Sequence, residues 1–281
     1  MTEELSSPEV ADPQAVLVGV DGSKASRNAL RFAIEEARAL GRSIRLVGAY
    51  TIPSVAAATI DVSYVPIDDT SIRAAVTDSL KEAAAEVKAA GVPVEAVIEI
   101  GDAAGVLVEE SRQASLAVVG SRGRGGFAGR LLGTVSSALP AHSHCPTIVV
   151  PVGWTPGRET APKHSSSRPV RSSRGELLGY DETAEAVPGL DFSGSVVVGV
   201  DSLAKESPAL WKAAEHPGLE VDWTLFDGQP AEVLVRASDT ADVLIIGSRG
   251  RGGFAGLLLG STSQSVLPYA ACPTMVVRVP R

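Results

Sequence analysis

A stretch rich in glycine and arginine occurs twice in the chain, as "GSRGRGGFAGRLLGTVSS" from Gly120 and as "GSRGRGGFAGLLLGSTSQ" from Gly247. The two copies begin 127 residues apart and differ at only three of their first 17 positions. Glycines let backbone N–H groups approach a ligand, because no Cβ stands in the way. A helix predicted to begin at Thr134 adds N–H groups that attract anions. The stretch therefore predicts a phosphate-binding loop.

The spacing within this loop separates it from two familiar phosphate-binding patterns. No lysine precedes Thr134, so the Walker pattern is absent, and "VDGSKAS" stands where a dinucleotide fingerprint would follow the first strand. The spacing is instead G-x2-G-x9-G-[ST]. It is formed by Gly120, Gly123, Gly133 and Thr134, and again by Gly247, Gly250, Gly260 and Ser261. Three arginines add positive charge to the first loop: Arg122, Arg124 and Arg130.

Predicted strands and helices alternate around the first loop. Short runs of β-branched residues predict strands at 16–21, 43–50, 92–100, 115–120 and 146–152. The first helix is predicted to begin after a cap at Ser23 and to end at Gly41. This alternation predicts an open parallel sheet with helices on both faces. Ligands bind such sheets beyond the carboxyl ends of the strands, which is where the first loop begins.

The second half of the chain repeats the first in shortened form. "SVVVGVD" (195–201) matches "AVLVGVD" (15–21) at an offset of 180, whereas the loops match at 127, so 53 residues are missing between the two landmarks. One predicted strand remains there, at 219–226, and we expect a second sheet of about four strands. The predicted organisation is a tail at 1–14, a first domain at 15–152 (copy one), a linker at 153–194 and a truncated domain at 195–281 (copy two).

Composition restricts the class of partner and the compartment. The chain has 281 residues, 44% of them hydrophobic, and a net charge of −8, which argues against a nucleic-acid or membrane-surface partner. No apolar run approaches the roughly 20 residues that span a bilayer, and the acidic N-terminus lacks the pattern of a signal peptide. We therefore expect a cytoplasmic protein. Cys145 and Cys272 stand at equivalent places and are expected to be buried, reduced thiols, with a disulfide between them as the alternative.

The loop spacing, the opening "VGVDGSKASRNAL" and the terminal "CPTIVVPV" resemble the universal stress protein family. The resemblance covers 15–152 fully and 195–279 in shortened form. It implies tandem Rossmann-like α/β sheets of the adenine nucleotide alpha hydrolase-like type, with strand order 3-2-1-4-5 and a truncated second copy. It also implies ATP as the ligand, with Mg²⁺ or Mn²⁺ carried by the phosphates. Finally, it implies that the last strands pair, either as an intrachain pseudo-dimer or in a homodimer.

The resemblance also implies a site, residue by residue. Asp21 would lie by the ribose and adenine with Gly19 nearby, and Ala49 would offer its backbone to the adenine edge. Val119, Gly120, Ser121, Arg122 and Gly123 would line the ribose and phosphates, and Gly133, Thr134, Val135 and Ser136 would hold the phosphates. In copy two, "DSL" at Asp201 replaces "DGS", and nothing matches Ala49. Only the phosphate half is kept there, in Gly247, Gly250, Gly260 and Ser261.

Three functions are consistent with these patterns. The first is an ATP-binding stress-response or signalling module without fast catalysis, and the second is a slow ATP hydrolase or nucleotidyl-transfer enzyme. The third is an assembly scaffold in which the loop is structural. Phosphoryl transfer needs a positioned base, yet the four histidines lie at helix ends or in the linker: His142, His144, His164 and His216. We therefore predict the first function and no catalytic residue.

Overall fold

The computed structural model describes residues 12–52, 69–123, 132–157, 168–171, 177–181, 192, 194–199, 226, 228–249 and 259–278. In copy one the elements are β1 (Val16–Gly19), α1 (Lys24–Leu40), β2 (Ile44–Tyr50), α2 (Thr70–Ala89), β3 (Val94–Ile100), α3 (Ala103–Glu110), β4 (Leu116–Gly120), α4 (Thr134–His142) and β5 (Thr147–Val150). They are followed by β6 (Arg168–Arg171), β7 (Leu177–Asp181), β8 (Val196–Val198), α5 (Pro230–Ala237), β9 (Val243–Gly247), α6 (Ser261–Val266) and β10 (Thr274–Val277).

Copy one is a five-stranded parallel sheet. Its strands lie in the order β3-β2-β1-β4-β5, and all four neighbouring pairs are parallel. In the central register, Val18 of β1 pairs with Leu46 on one side and with Val118 on the other. These three side chains are fully buried. Leu17, whose side chain points to the opposite face of the sheet, is fully buried as well. Burial on both faces suits the β-branched runs that predicted the strands, and the order 3-2-1-4-5 is confirmed.

Helix α1 begins and ends where its sequence predicted. The side chain of Ser23 accepts a hydrogen bond from the N–H of Ser26, which caps the amino end of the helix. Gly41 ends it in the left-handed conformation, with φ of 63°, which favours glycine because a Cβ would be strained there. The apolar face of α1, with Ala29 and Leu30 buried, packs against the sheet.

The second half repeats the packing of the first with fewer described strands. β8, β9 and β10 form parallel pairs and correspond to the first, fourth and fifth strands of copy one. A Cβ at Gly19 would lie 2.9 Å from Leu107, and a Cβ at Gly199 would likewise lie 2.9 Å from Leu234. The repeat thus extends to side-chain contacts. Most of the strand predicted at 219–226 lies outside the described residues, so a fourth strand in copy two stays a prediction.

One continuous sheet joins the two halves. β10 pairs antiparallel with β5, with Met275 opposite Ile148, and the eight strands lie in the order β3-β2-β1-β4-β5-β10-β9-β8. A single buried cluster includes Val149 from copy one and Leu244 from copy two. The Arg278 guanidinium, just after β10, donates a hydrogen bond to the Ser143 carbonyl at 2.6 Å. Apolar burial and the strand ladder therefore both cross the junction.

The span predicted as a linker contains regular structure. β6 and β7 form a two-stranded antiparallel sheet with one register irregularity. The sequence of 153–194 predicted no strand here because these runs are short and interrupted by arginine, proline and glycine. At the start of the same span, Trp154 packs edge-on against Phe32 of α1 with ring centroids 5.5 Å apart. The Asn28 side chain donates to the carbonyls of Val152 and Trp154. These ring and hydrogen-bond contacts therefore hold the beginning of this span against copy one.

Both cysteines are free thiols in buried positions. Burial raises the pKa of the Cys145 thiol and raises that of Cys272 to about 12. Both groups are therefore protonated at neutral pH, which makes them poor nucleophiles. The expectation of buried thiols is confirmed, and the structure forms no disulfide between them.

Candidate functional site

Copy one brings the ends of β1, β2 and β4 together at one edge of the sheet. Gly19 pairs with Val47, so Asp21 and Ala49 each lie two residues beyond paired positions on neighbouring strands. Gly120 ends β4 on the other side of β1. The residues predicted to bind the nucleoside and the phosphates therefore follow three adjacent strands at their carboxyl ends, which is where open parallel sheets bind ligands.

Gly120 is the point of closest approach between β4 and α1. A Cβ at Gly120 would lie 2.5 Å from the carbonyl carbon of Ala25 and 2.6 Å from its oxygen. Backbone atoms cannot rotate away as a side chain can, so this contact requires glycine. The glycine-rich loop consequently starts directly against the first turn of α1.

The carboxylate of Asp21 lies against the glycine-rich loop. The N–H of Ser23 donates to Asp21 Oδ1 at 2.9 Å, which fixes one carboxylate oxygen. A Cβ at Gly123 would lie 2.6 Å from Asp21 Oδ2, so glycine leaves room for the second oxygen. Asp21 is exposed. The site therefore has an acceptor-only group beside the loop, suited to a hydroxyl or amino donor.

Hydrogen bonds hold the amino end of α4 against the loop that follows β4. The Gly133 N–H donates to the Ser121 carbonyl, and the Ser136 hydroxyl donates to the same carbonyl at 2.8 Å. The Ser136 Oγ also accepts from the Gly133 N–H at 2.9 Å. The first turn of α4, beginning at the exposed Thr134, has N–H groups without partners inside the helix. Such a helix end attracts anions.

Ala49 lies near the outer side of the site, next to a fixed aromatic residue. Ala49 pairs with Glu99 of β3 and is half-buried. The neighbouring Tyr50 hydroxyl donates to Asp69 Oδ2 at 2.8 Å, which links the end of β2 to the start of α2. This hydrogen bond to Asp69 raises the pKa of Tyr50, so the phenol stays protonated at neutral pH.

Most predicted site residues of copy one lie at this edge, although some offer only backbone. Val119 is 2% exposed and packs in the core. Ser136 is also buried, and its hydroxyl makes hydrogen bonds within the protein. Arg122 and Gly123 are exposed. Arg124 and Arg130 lie outside the described residues. The ligand contacts of all these residues stay predictions.

Ser23 and Ser26 belong to this edge, although the sequence suggested only a helix cap for the first. Ser23 Oγ donates to the Arg122 carbonyl at 3.4 Å, and Ser26 bonds to the end of β1. The available signal was the S-x-x-S spacing directly after "VDG", since Ser and Thr at a helix start bond to nearby backbone.

Copy two reproduces the phosphate half in part. The Gly260 N–H donates to the Ser248 carbonyl at 2.7 Å, as Gly133 does to Ser121. The Ser263 hydroxyl donates to the Gly247 carbonyl at 2.7 Å. α6 begins at Ser261 and has six residues. Gly250 and Asp201, the other predicted residues of this copy, lie outside the described residues.

The described part of the chain holds no group of three or more His, Cys, Asp or Glu side chains arranged to bind a metal ion. Within it, His142 and His144 are exposed at the end of α4 and just beyond it, away from Asp21. No helix of the described residues is long and apolar enough to cross a membrane. The cytoplasmic location stays a prediction.

Comparison with known proteins gives consistent matches along the chain. The model of the family described as "Universal stress protein family" matches residues 13–151 and 178–278. Universal stress protein Rv2623 of Mycobacterium tuberculosis is 32% identical, over 94% of this chain and 96% of its own. A universal stress protein structure from Archaeoglobus fulgidus is 22% identical, covers 95% of this chain and 97% of its own, and has a TM-score of 0.58. A universal stress protein solved with cAMP is 31% identical over 49% of this chain and 96% of its own, with a TM-score of 0.38.

Proposed function

Since the chain belongs to the universal stress protein family, we propose that it binds ATP and acts as a nucleotide-dependent stress-response or signalling module without dedicated fast catalysis. One observation carries the proposal. The Asp21 carboxylate, the glycine-rich loop and the amino end of α4 meet at the carboxyl edge of one parallel sheet. A carboxylate beside an anion-attracting helix end matches the two halves of a nucleotide, a hydroxyl-bearing sugar and its phosphates.

The phosphate half of the proposed site rests on contacts between the loop and α4. A Cβ at Gly133 would lie 3.6 Å from both the Arg122 Cα and the Gly123 nitrogen, so loop and helix end lie side by side. Backbone N–H groups at such a junction provide several donors to one anion. Arg122 would add a cation to these donors. We propose that the divalent ion, Mg²⁺ or Mn²⁺, is bound through the phosphate oxygens of the nucleotide.

The nucleoside half rests on Asp21 and on the backbone of Ala49. The two residues follow neighbouring strands at the same edge, with Gly19 and Val47 paired directly below them. A strand-end backbone presents both a donor and an acceptor, which is what the edge of an adenine ring requires. We therefore assign the adenine to the β1–β2 side of the site and the phosphates to the β4–α4 side.

An adenine nucleotide bound at one site per chain is the expected result when the purified protein is denatured and the released nucleotides are measured by mass spectrometry. The stoichiometry should be near one, because copy one has both halves of the site and copy two only the phosphate half. A value near two would show that copy two also binds. No nucleotide, before or after incubation with ATP, would contradict the proposal and favour a scaffold. Complete conversion of added ATP to ADP within minutes would favour a hydrolase.

We propose that copy two acts mainly as a built-in dimerisation partner for copy one. The end strand of a sheet exposes unpaired backbone groups and invites association with other chains. Here β10 covers that edge of β5, with Thr274 opposite Val149 and Met275 opposite Ile148. The apolar cluster shared by the two copies supports the same pairing.

Light scattering of the full chain at two concentrations tests this partnership. We expect the mass of one chain at both, because β5 already has its partner within the same molecule. A stable dimer whose mass does not change on dilution would contradict the expectation that one chain is sufficient. A mass that rises with concentration would indicate a weaker homodimer through another surface, and the intrachain partnership would stand.

A further inference from the structure

The Ser26 hydroxyl connects the end of β1 to the first turn of α1. It accepts a hydrogen bond from the Asp21 N–H and donates one to the Gly19 carbonyl, both at 3.3 Å. The last ladder bond of β1 is made by the Val20 N–H to Val47, so Asp21 is the first residue beyond the sheet. Its N–H needs a partner outside the ladder, and the Ser26 side chain, in a residue only 5% exposed, supplies it.

This hydroxyl acts on the site through Asp21. It fixes the peptide N–H of Asp21, while the Ser23 N–H fixes the carboxylate oxygen Oδ1. The second oxygen, Oδ2, lies beside Gly123, on the side of the glycine-rich loop. A carboxylate held at both its backbone and one oxygen has little freedom to turn, so its position is set before a ligand arrives.

The sequence of copy two does not keep these two serines. At the offset that aligns the first strands, Leu203 stands in place of Ser23 and Glu206 in place of Ser26, although Asp201 is kept. Leucine cannot cap a helix through its side chain. An ionised carboxylate cannot donate a hydrogen bond, so Glu206 does not offer the donor that the Ser26 hydroxyl provides. The two copies therefore differ in the residues that hold the aspartate, as well as in the adenine half.

We propose that Ser26 is a positioning residue that sets the Asp21 carboxylate to accept from the ribose 2′-hydroxyl, so that copy one prefers ribonucleotides to 2′-deoxyribonucleotides. This inference rests on the proposed nucleotide function and specifies its substrate class. A carboxylate accepts a hydroxyl proton, and the deoxy sugar offers none at that carbon. The same pairing of an acidic side chain with a ribose hydroxyl occurs at the strand ends of other parallel sheets.

The test measures the affinity of the full chain for ATP and for 2′-deoxy-ATP by titration calorimetry. The wild-type protein should prefer ATP by about five- to tenfold, and Ser26→Ala should reduce ATP affinity by about three- to tenfold while changing 2′-deoxy-ATP affinity less than about twofold. The ratio of the two affinities is the decisive quantity, because a general weakening of the fold would lower both affinities together.

Ser111→Ala is a matched control. Ser111 is also buried, and its hydroxyl likewise accepts from a backbone N–H, that of His144, and donates to a backbone carbonyl, that of Val108. It lies at the opposite, amino end of the strands, so its loss should leave both affinities unchanged. Asp21→Asn provides a second variant should Ser26→Ala fail to fold. Asn keeps an oxygen for the Ser23 N–H but has no carboxylate, so it should also lower the ratio.

The outcomes separate this inference from the function on which it rests. If the wild-type protein binds no ATP, the proposed function fails. If it binds ATP and Ser26→Ala keeps the wild-type ratio of affinities, only the positioning role is overturned. Equal wild-type affinity for the two nucleotides would overturn the ribose preference, and a parallel loss of both in Ser26→Ala would show that the hydroxyl does not act through Asp21.

Discussion

Gly133→Val is expected to lower the affinity of the chain for ATP by more than about 100-fold, because the proposed phosphate contacts include several charge-assisted hydrogen bonds. Gly133 has φ of −81° and ψ of 172°, an extended conformation that valine adopts readily. A Cβ there meets its nearest neighbours at 3.6 Å, which is ordinary contact. The backbone and the Cβ of valine are therefore compatible with the fold, and we expect its two methyl groups to occupy the space between the loop and α4. Titration calorimetry measures the loss, and thermal unfolding should show a nearly unchanged midpoint.

Gly260→Val is the matched control in copy two. Gly260 precedes α6 as Gly133 precedes α4, with φ of −71° and ψ of 159°, so valine is equally compatible with its backbone. ATP affinity should change by less than about twofold, because the sequence of copy two has no counterpart of Ala49 for the proposed adenine contacts. Equal losses in the two variants would show that both copies contribute to binding. Unchanged affinity in Gly133→Val would show that the phosphates lie elsewhere.

Gly120→Ala is expected to destabilise the protein by about 3 kcal/mol, at the upper end of what overpacking usually costs. The added Cβ would lie 2.5 Å from the carbonyl carbon of Ala25, so either β4 or the first turn of α1 must move. That movement also separates Gly123 from Asp21, so nucleotide affinity should fall along with stability. Denaturant unfolding monitored by circular dichroism, with and without ATP, measures both effects.

Gly247→Ala places the same methyl group at the equivalent position of copy two. Among the described residues, a Cβ there meets only the Arg249 carbonyl within 4 Å, at 3.3 Å, a contact that a small shift relieves. We expect a loss of less than about 1 kcal/mol. A loss as large as that of Gly120→Ala would contradict this expectation and show that glycine is required at this position in both copies.

The local elements of copy one could be predicted because their signals lie within a few residues of one another. Ser23 caps α1 through the N–H of Ser26, and Gly41 ends the same helix with a positive φ. Both are short-range effects of side-chain chemistry and backbone freedom. The two strands at 168–171 and 177–181 were missed, because their runs are too short to show a periodicity.

The sequence indicated which residues to examine as a site, and it did not indicate the contacts that hold them together; their ligand contacts stay predictions. Asp21, Gly120 and Gly133 were recognised by their spacing and by resemblance to a family. The sequence gives no sign that the end of β4 touches Ala25, or that the Ser26 hydroxyl takes up the N–H of Asp21. These contacts depend on where α1 packs relative to β1 and β4. No local pattern in the sequence specifies that placement.

By itself, the sequence determined that the chain repeats a strand–loop–helix unit, that copy two is shortened, and where α1 begins and ends. Each of these is encoded by neighbouring residues or found by direct comparison of the two halves. Only the tertiary structure decided that β10 pairs antiparallel with β5 and that Asp21, Gly123 and Gly133 meet at one edge. The physical reason is that these residues are distant along the chain. Their contacts are set by strand order and by burial of a shared core.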